Sequence, residues 1–174
     1  ALGDLIVKID TAIGPQGSQV DIAVRAWNFT DMVSMQGTID FNTSIATFDT
    51  ISVYALSGMD YTSFGLTQIN NGQLMFSWSD PSMLGVTLAD SSALFVMRFT
   101  LVGSAGSYTM LDFINAPTPL EFSDNTYNPV NVQFESGKAI VSGDASIVLN
   151  EPSLYSYCVG DMIQVNYVAN GIFI

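Results

Sequence analysis

The stretch VDIAVRAWNFTDMVSMQGTIDFNTSIATF, residues 20–48, decides the fold of this chain. Apolar and polar side chains alternate over residues 20–26, and the alternation returns over residues 35–41. Because successive side chains of a strand point to opposite faces of a sheet, this pattern predicts half-buried strands. Short polar residues that favour turns separate the strands at positions 28–31 and 42–44. The chain is therefore predicted to open as an antiparallel sandwich, and the stretch carries no catalytic signature.

Similar segments continue to residue 141 and predict a sandwich or jelly roll of about nine short strands. Ten segments are candidates for these strands: 5–9, 20–28, 35–41, 45–54, 64–69, 73–79, 93–102, 108–114, 130–134 and 138–141. Segment 93–102 is apolar on both faces, which predicts a central strand. The Asn-Asn-Gly sequence at 70–72 predicts a hairpin turn. Pro117 and Pro119 predict an interruption of pairing near a sheet edge. We find no apolar stripe of helical period.

The predicted sandwich ends at residue 143, and residues 144–174 form an extension. Strands are predicted there over 146–149 and 162–168, with Ile163, Val165 and Tyr167 on one face of the second. Such a short segment cannot bury a core of its own. Since open strand edges recruit other strands, we expect this tail to join neighbouring copies in a head-to-tail fibre. The alternatives are a tail folded back on its own sandwich and the start of a second module.

Composition narrows the classes of function. The chain has 16 acidic and four basic residues, for a formal charge of -12. This charge argues against nucleic acid, which binds Lys and Arg, and it disfavours anionic membrane surfaces. No segment reaches the ~18–20 apolar residues of a membrane span, so we expect no membrane insertion. The composition favours an extracellular protein kept soluble by its charge. Because the sequence begins with Ala1, we expect a processed product or a fragment.

Catalysis is not expected. The sequence has no histidine and a single cysteine, Cys158. Nucleophile systems built on histidine and most zinc sites are therefore excluded. A glycosidase with paired carboxylates stays open through Asp80, Asp90, Asp112, Glu121 and Asp124. Acids in loops are usually solvated, however, and we predict no enzyme. Cys158 is either a small buried hydrophobe or half of a bridge to another chain.

No cofactor is predicted apart from a possible calcium ion. Calcium prefers oxygen ligands from Asp, Asn and backbone carbonyls. Asp124, Asn125 and Asn128 form the best local cluster of such groups. Their spacing is not that of a dedicated calcium loop. The alternative is that these turn residues bond their own backbone.

Trp27 is the first candidate for binding a partner. It shares its parity with Asp21 and Arg25, on the polar side of the predicted strand. An exposed Trp beside an Arg is typical of a binding hot spot, and a flat aromatic ring can equally stack on a sugar. The alternative is a local bulge that turns Trp27 inward. Trp78, which is in phase with Leu74 and Phe76, is predicted to lie in the core.

The order of several segments resembles the cohesin-like modules of large secreted proteins of Bacteroidetes-type bacteria. The matching segments are residues 14–42, FSWSDP at 76–81, GVTLAD at 85–90, ALFVMRFTLVG at 93–103, APTPLE at 116–121 and GKAIV at 137–141. The resemblance covers residues 4–143 and implies a nine-stranded jelly-roll sandwich that binds proteins without catalysis. Cohesins receive dockerin modules on one sheet face, and looser relatives occur in surface adhesins and scaffolds.

The resemblance has further implications. It predicts that the partners are other protein modules. The alternative function is that of a carbohydrate-binding module, whose partners would be glycans. Gly37 stands where the family usually has a large apolar residue, so another side chain must fill that space. Thr11 and Thr50 lie in Asp-Thr-apolar sequences like those that Bacteroidetes use for O-glycosylation, which makes them candidate acceptors. Residues 155–161 look like the opening of a next module.

Overall fold

The computed structural model describes residues 4–143 and, beyond them, the backbone of two strands, Ser146–Leu149 and Tyr167–Asn170. The chain divides into two compact units between Ser142 and Gly143. The described residues are all-β and contain two single-turn 3-10 helices but no α-helix. The predicted fold class is therefore confirmed.

Two sheets form the sandwich. In chain order the strands are β1 (Leu5–Ile9), β2 (Thr11–Gly14), β3 (Gln19–Trp27), β4 (Met32–Asp40), β5 (Ala46–Tyr54), β6 (Phe64–Gly65), β7 (Gln73–Ser79), β8 (Ser92–Leu101), β9 (Tyr108–Ile114), β10 (Glu121–Asp124), β11 (Val132–Glu135), β12 (Gly137–Val141), β13 (Ser146–Leu149) and β14 (Tyr167–Asn170). The five-stranded sheet has the order β11-β1-β3-β8-β5. The seven-stranded sheet has the order β2-β12-β9-β4-β7-β6, and β10 pairs with β4.

The first run of the sandwich is β1 followed by β2, and the last run is β11 followed by β12. The two runs are neighbours, and each crosses from the five-stranded sheet to the seven-stranded sheet. β1 pairs in parallel with β11, and β2 pairs in parallel with β12 with the same offset between partner residues. The crossing falls at Asp10 in the first run and beside Gly137 in the last. Asp10 donates its N–H to the carbonyl of Ala23 at 2.9 Å, which ties the crossing to β3. When each crossing run is counted once, the number of strands is close to the nine expected.

Alternating apolar side chains meet between the sheets and form the core. β8 lies between β3 and β5, as its doubly apolar sequence predicts, and Phe95 and Phe99 on it are fully buried. Phe41 packs edge to face on Phe99 with ring centroids 5.0 Å apart. Trp78 is buried, as predicted, and its Nε1–H donates to the carbonyl of Ser57 at 2.8 Å.

The space beside Gly37 is filled from two directions, as the missing side chain predicts. A Cβ at this position would lie 2.5 Å from Cδ2 of Leu120 and 2.8 Å from Cζ of Phe76. Phe76 comes from the neighbouring strand β7, whereas Leu120 ends the Pro-rich segment before β10. That segment is fastened to β4 because Thr38 Oγ1 donates to the carbonyl of Thr118 and accepts from its N–H, both at 3.0 Å.

Several predicted boundaries were wrong. The strand predicted over 64–69 ends at Gly65, and residues 69–71 form a 3-10 helix. Gly72 has the expected positive φ, but it caps this helix and does not form a two-residue hairpin. Its carbonyl accepts the N–H of Phe41 at 2.8 Å. Pro117 and Pro119 do not mark a sheet edge, because β9 before them and β10 after them both pair with β4. β2 and β10 were not predicted.

The second unit contains an antiparallel pair of strands. β13 pairs with β14, and Ser146 lies opposite Asn170. β13 has the predicted range. Of the second predicted strand, Tyr167 begins β14, whereas Ile163 and Val165 lie outside the described residues.

Candidate protein-binding surfaces

The outer side of the five-stranded sheet, which we call the ion-paired face, is crossed by three salt bridges. Arg25 Nε lies 2.8 Å from Asp10 Oδ2, and Lys8 Nζ lies 3.3 Å from Glu135 Oε2. Arg98 donates to both carboxylate oxygens of Asp21, at 2.8 and 2.9 Å. This bidentate bond holds the pKa of the Asp21 carboxyl below its usual value. The charged groups of this face largely neutralise one another.

Trp27 lies on the same face as Asp21 and Arg25, as their common parity predicts. It is half-buried and pairs in register with Ile6 of β1. The pairing of β3 with β8 shifts at Arg25, but the extra residue of this bulge is Leu94 of β8. The bulge therefore leaves Trp27 on the outside. The structure brings the three predicted partner-binding residues to one face, and their role in binding stays a prediction.

The outer side of the seven-stranded sheet, which we call the open face, has a different chemistry. Ile13 of β2 and Tyr108 of β9 flank Ile140 of β12 in register. Ile13 is 57% exposed, Tyr108 56% and Met110 36%, and Ile140 is half-buried. We call these four residues the apolar patch. Sequence reasoning missed the patch because its residues come from three strands that are distant in the chain.

The apolar patch has one cation beside it and several carboxylates farther along the open face. Lys138 Nζ lies 5.1 Å from the centroid of the Tyr108 ring, in cation–π geometry. Asp40 and Asp112 point outward from β4 and β9, and Glu121 Oε2 accepts a bond of 2.9 Å from Gln36 Nε2. The open face thus combines exposed apolar area with a surplus of negative charge.

Two of the acids considered for a glycosidase, Asp80 and Asp90, accept hydrogen bonds that hold loops. The buried carboxylate of Asp80 accepts hydrogen bonds from Ser82 Oγ at 2.7 Å, Ser82 N–H at 3.0 Å and Gly85 N–H at 3.0 Å. These bonds lower the pKa of Asp80 and shape the loop that follows β7. Asp90 accepts the N–H of Asn28 at 2.9 Å. Within residues 4–143 no three acidic or sulfur ligands cluster where a metal could bind.

The predicted calcium cluster forms a turn that bonds itself. Asp124 Oδ1 accepts hydrogen bonds from Thr126 N–H at 2.8 Å, Thr126 Oγ1 at 2.6 Å and Asn128 N–H at 3.3 Å. Asn125 Nδ2 donates to the carbonyl of Leu84 at 3.2 Å. The bonds from Thr126 lower the pKa of Asp124. A carboxylate oxygen that already accepts three donors is a poor cation ligand, so the donor set fits a turn better than calcium. Calcium binding here stays a prediction.

The two candidate glycosylation sites lie on different strands. Thr11 is exposed on β2, beside the apolar patch. Thr50 is exposed on β5, and its Oγ1 lies 3.3 Å from the carbonyl of Ile51. Modification of either residue stays a prediction.

Among the residues that the structure describes, no helix has the length and apolar character needed to cross a membrane. A scan against protein-family models and a search of curated proteins found no match.

Several solved structures share the fold. The sixth cohesin of scaffoldin B from Acetivibrio cellulolyticus, solved in complex with a dockerin variant, has 17% identity and a TM-score of 0.68 over 80% of this chain and 100% of its own. A chain of a type I cohesin–dockerin complex from Clostridium thermocellum has 12% identity and a TM-score of 0.68, over 80% and 99%. A non-cellulosomal cohesin from the archaeon Archaeoglobus fulgidus has 17% identity and a TM-score of 0.61, over 81% and 93%. The described sandwich therefore has a cohesin-like fold.

Proposed function

We propose that this chain is a non-catalytic module that binds another protein module on the open face of its sandwich. The observation that carries the proposal is the apolar patch of Ile13, Tyr108, Met110 and Ile140 on the open face. Exposed apolar side chains grouped on one surface mark sites of protein association. The fold supports a protein partner, since two of the similar structures are complexes of cohesins with dockerins.

The two sheet faces differ in what they offer a partner. On the ion-paired face, the charges of Arg25 and Arg98 are already engaged by Asp10 and Asp21. A partner that docks on this face would have to compete with these pairs for the charged groups. The open face offers exposed Tyr and Met side chains, which are enriched at protein interfaces. We therefore favour the open face, with the Trp27 surface as the second candidate.

We expect binding to a dockerin-type module to depend on the apolar patch. Purified dockerin modules from the two bacteria named above are titrated against the full chain by calorimetry. Replacing Ile13 and Tyr108 together by Ser is expected to weaken binding about 30-fold, the size of a hot-spot effect. The matched control is Tyr127→Ser, because Tyr127 is an equally exposed tyrosine, at 63%, away from the patch.

The control variants decide between the two faces. Tyr127→Ser and Trp27→Ala are expected to change the affinity less than twofold. Loss of binding in Trp27→Ala alone would move the site to the ion-paired face. No binding by any dockerin tested would contradict a dockerin-type partner.

A carbohydrate-binding module is the alternative function. The half-buried Trp27 ring on the ion-paired face is the aromatic group that would stack on a sugar. Glycan-array binding that disappears in Trp27→Ala and persists in Tyr108→Ser would favour this alternative.

We propose an extracellular setting for the module, in a cell-surface adhesin, scaffold or fibre of a bacterium. The formal charge of -12 and the resemblance to modules of secreted bacterial proteins support this setting. Glycosylation at Thr11 or Thr50 belongs to the same proposal.

The tail is proposed to join neighbouring copies into a head-to-tail fibre. Among the described residues β13 and β14 pair only with each other, and a strand pair can accept a further strand along a free edge. We expect the full chain to sediment as a concentration-dependent series of oligomers, while residues 1–143 alone stay monomeric. If the full chain and residues 1–143 are both monomeric at high concentration, the proposal of a fibre is contradicted.

A further inference from the structure

Two carboxylates stand directly opposite each other on the open face. Asp40 of β4 is the register partner of Asp112 of β9, and both side chains point outward. Directly opposite residues have Cβ atoms about 5 Å apart, and like charges in that position repel each other. Within residues 4–143 neither carboxylate takes part in a salt bridge.

None of the four basic side chains of the chain is placed between them. All four are described, and the chain has no histidine. Lys8, Arg25 and Arg98 pair with other carboxylates across the ion-paired face. Lys138 lies over the ring of Tyr108. The position between Asp40 and Asp112 is therefore open to a basic side chain of another molecule.

The surroundings of the pair suit the stem of a long basic side chain. On one side, Met75 and Ile114 flank Thr38 in register. On the other side, Met110 precedes Asp112 by two residues on the same face of β9 and belongs to the apolar patch. Lys and Arg cover apolar surface with their methylene stems while the charged head reaches a polar group. An Arg head can bond two carboxylate oxygens at once.

We infer that the open face selects a basic partner: a Lys or Arg flanked by aliphatic side chains seats its charged head between Asp40 and Asp112. The inference rests on the proposed function and adds the chemistry of the partner to it. Charge complementarity decides this chemistry, since the face carries three carboxylates and a single cation that is already engaged. Relief of the repulsion between the two carboxylates then favours the bound state.

The free protein provides the first test. Asp112→Asn removes the repulsion while keeping the shape of the side chain, and we expect it to raise Tm by about 2 °C at low salt. The gain should shrink in 1 M NaCl, because salt screens exposed charges. The matched control is Glu121→Gln on the same face, which should leave Tm unchanged. No gain, or an equal gain in the control, would show that the pair is not strained.

The second test identifies the partner's chemistry with a defined probe. A phage library of random peptides is panned on the full chain, and binders that weaken on Tyr108→Ser are assigned to the open face. We expect these binders to be rich in Lys or Arg beside aliphatic residues. They should bind the Asp40→Asn, Asp112→Asn double variant about tenfold more weakly. Glu121→Gln should change their affinity less than threefold, which separates this site from the general negative charge.

The outcomes separate the inference from the proposed function. Open-face binders that lack basic residues, or that bind the double variant as well as the wild type, overturn the inference and leave the proposed function intact. If every binder tolerates Tyr108→Ser, the open face is not a binding surface, and both fail.

Discussion

Gly137→Ala is expected to destabilise the sandwich strongly, because the added methyl group meets backbone atoms instead of a flexible side chain. A Cβ at Gly137 would lie 2.2 Å from the carbonyl oxygen of Asp10 and 2.6 Å from that of Ile9. Both carbonyls belong to backbone that β3 holds in place, so neither can move aside as a flexible side chain would. We expect a loss of about 3 kcal/mol in the free energy of unfolding, the upper part of the range for overpacking.

The measurement is urea unfolding of the full chain followed by tryptophan fluorescence. The matched control is Gly106→Ala, because Gly106 has a φ of +83° and no atom within 4 Å of the added Cβ. That variant bears only the backbone strain of a left-handed residue, about 1 kcal/mol. Equal losses in the two variants would show that Gly137 is not closely packed against the backbone of Ile9 and Asp10.

A large side chain at Gly37 is also expected to destabilise the sandwich. Gly37→Val places its methyl groups where Leu120 and Phe76 already meet, and we expect a loss of about 2 kcal/mol. The loss should become smaller when Leu120→Ala is also present, because the shortened side chain vacates the space that Val needs. A coupling of about 1 kcal/mol in this double-mutant cycle would identify Leu120 as the side chain that fills the gap.

The control for this cycle is Ser77→Val, which adds the same side chain on the exposed side of β7. It should change the free energy of unfolding by less than about 0.5 kcal/mol. Additive effects of Gly37→Val and Leu120→Ala would contradict the packing described here.

Alternation along single strands was enough to predict the all-β class. Most strand ranges followed from the same pattern, because the alternation within a strand depends only on which of its own side chains are buried. β10 escaped prediction because Pro117 and Pro119 precede it, and its pairing with β4 depends on residues far away in the chain. The 3-10 helix at 69–71 occupies what the sequence presents as a strand end, where Gly72 packs against the carbonyl of Phe41.

The candidate site was less accessible to sequence reasoning than the fold. Parity places Trp27 with Asp21 and Arg25, because all three lie on one strand. It cannot reveal that Arg98 and Asp10 engage the two charged members, since those pairs are made between strands. The meeting of Asp40 with Asp112 likewise depends on the register of β4 against β9, which local patterns do not contain.

The parallel pairing of the first and last runs has a mechanical consequence. Leu5 lies beside Val132 and Gly14 lies beside Val141, so the chain enters the sandwich at one pole and leaves it at the other. At ~3.3 Å per residue, these poles are about 30 Å apart along the two runs. Tension between Leu5 and Val141 would pull the neighbouring runs past each other and load their hydrogen bonds together, in shear, instead of peeling them apart singly. A module threaded in this way is suited to carry load within a longer chain.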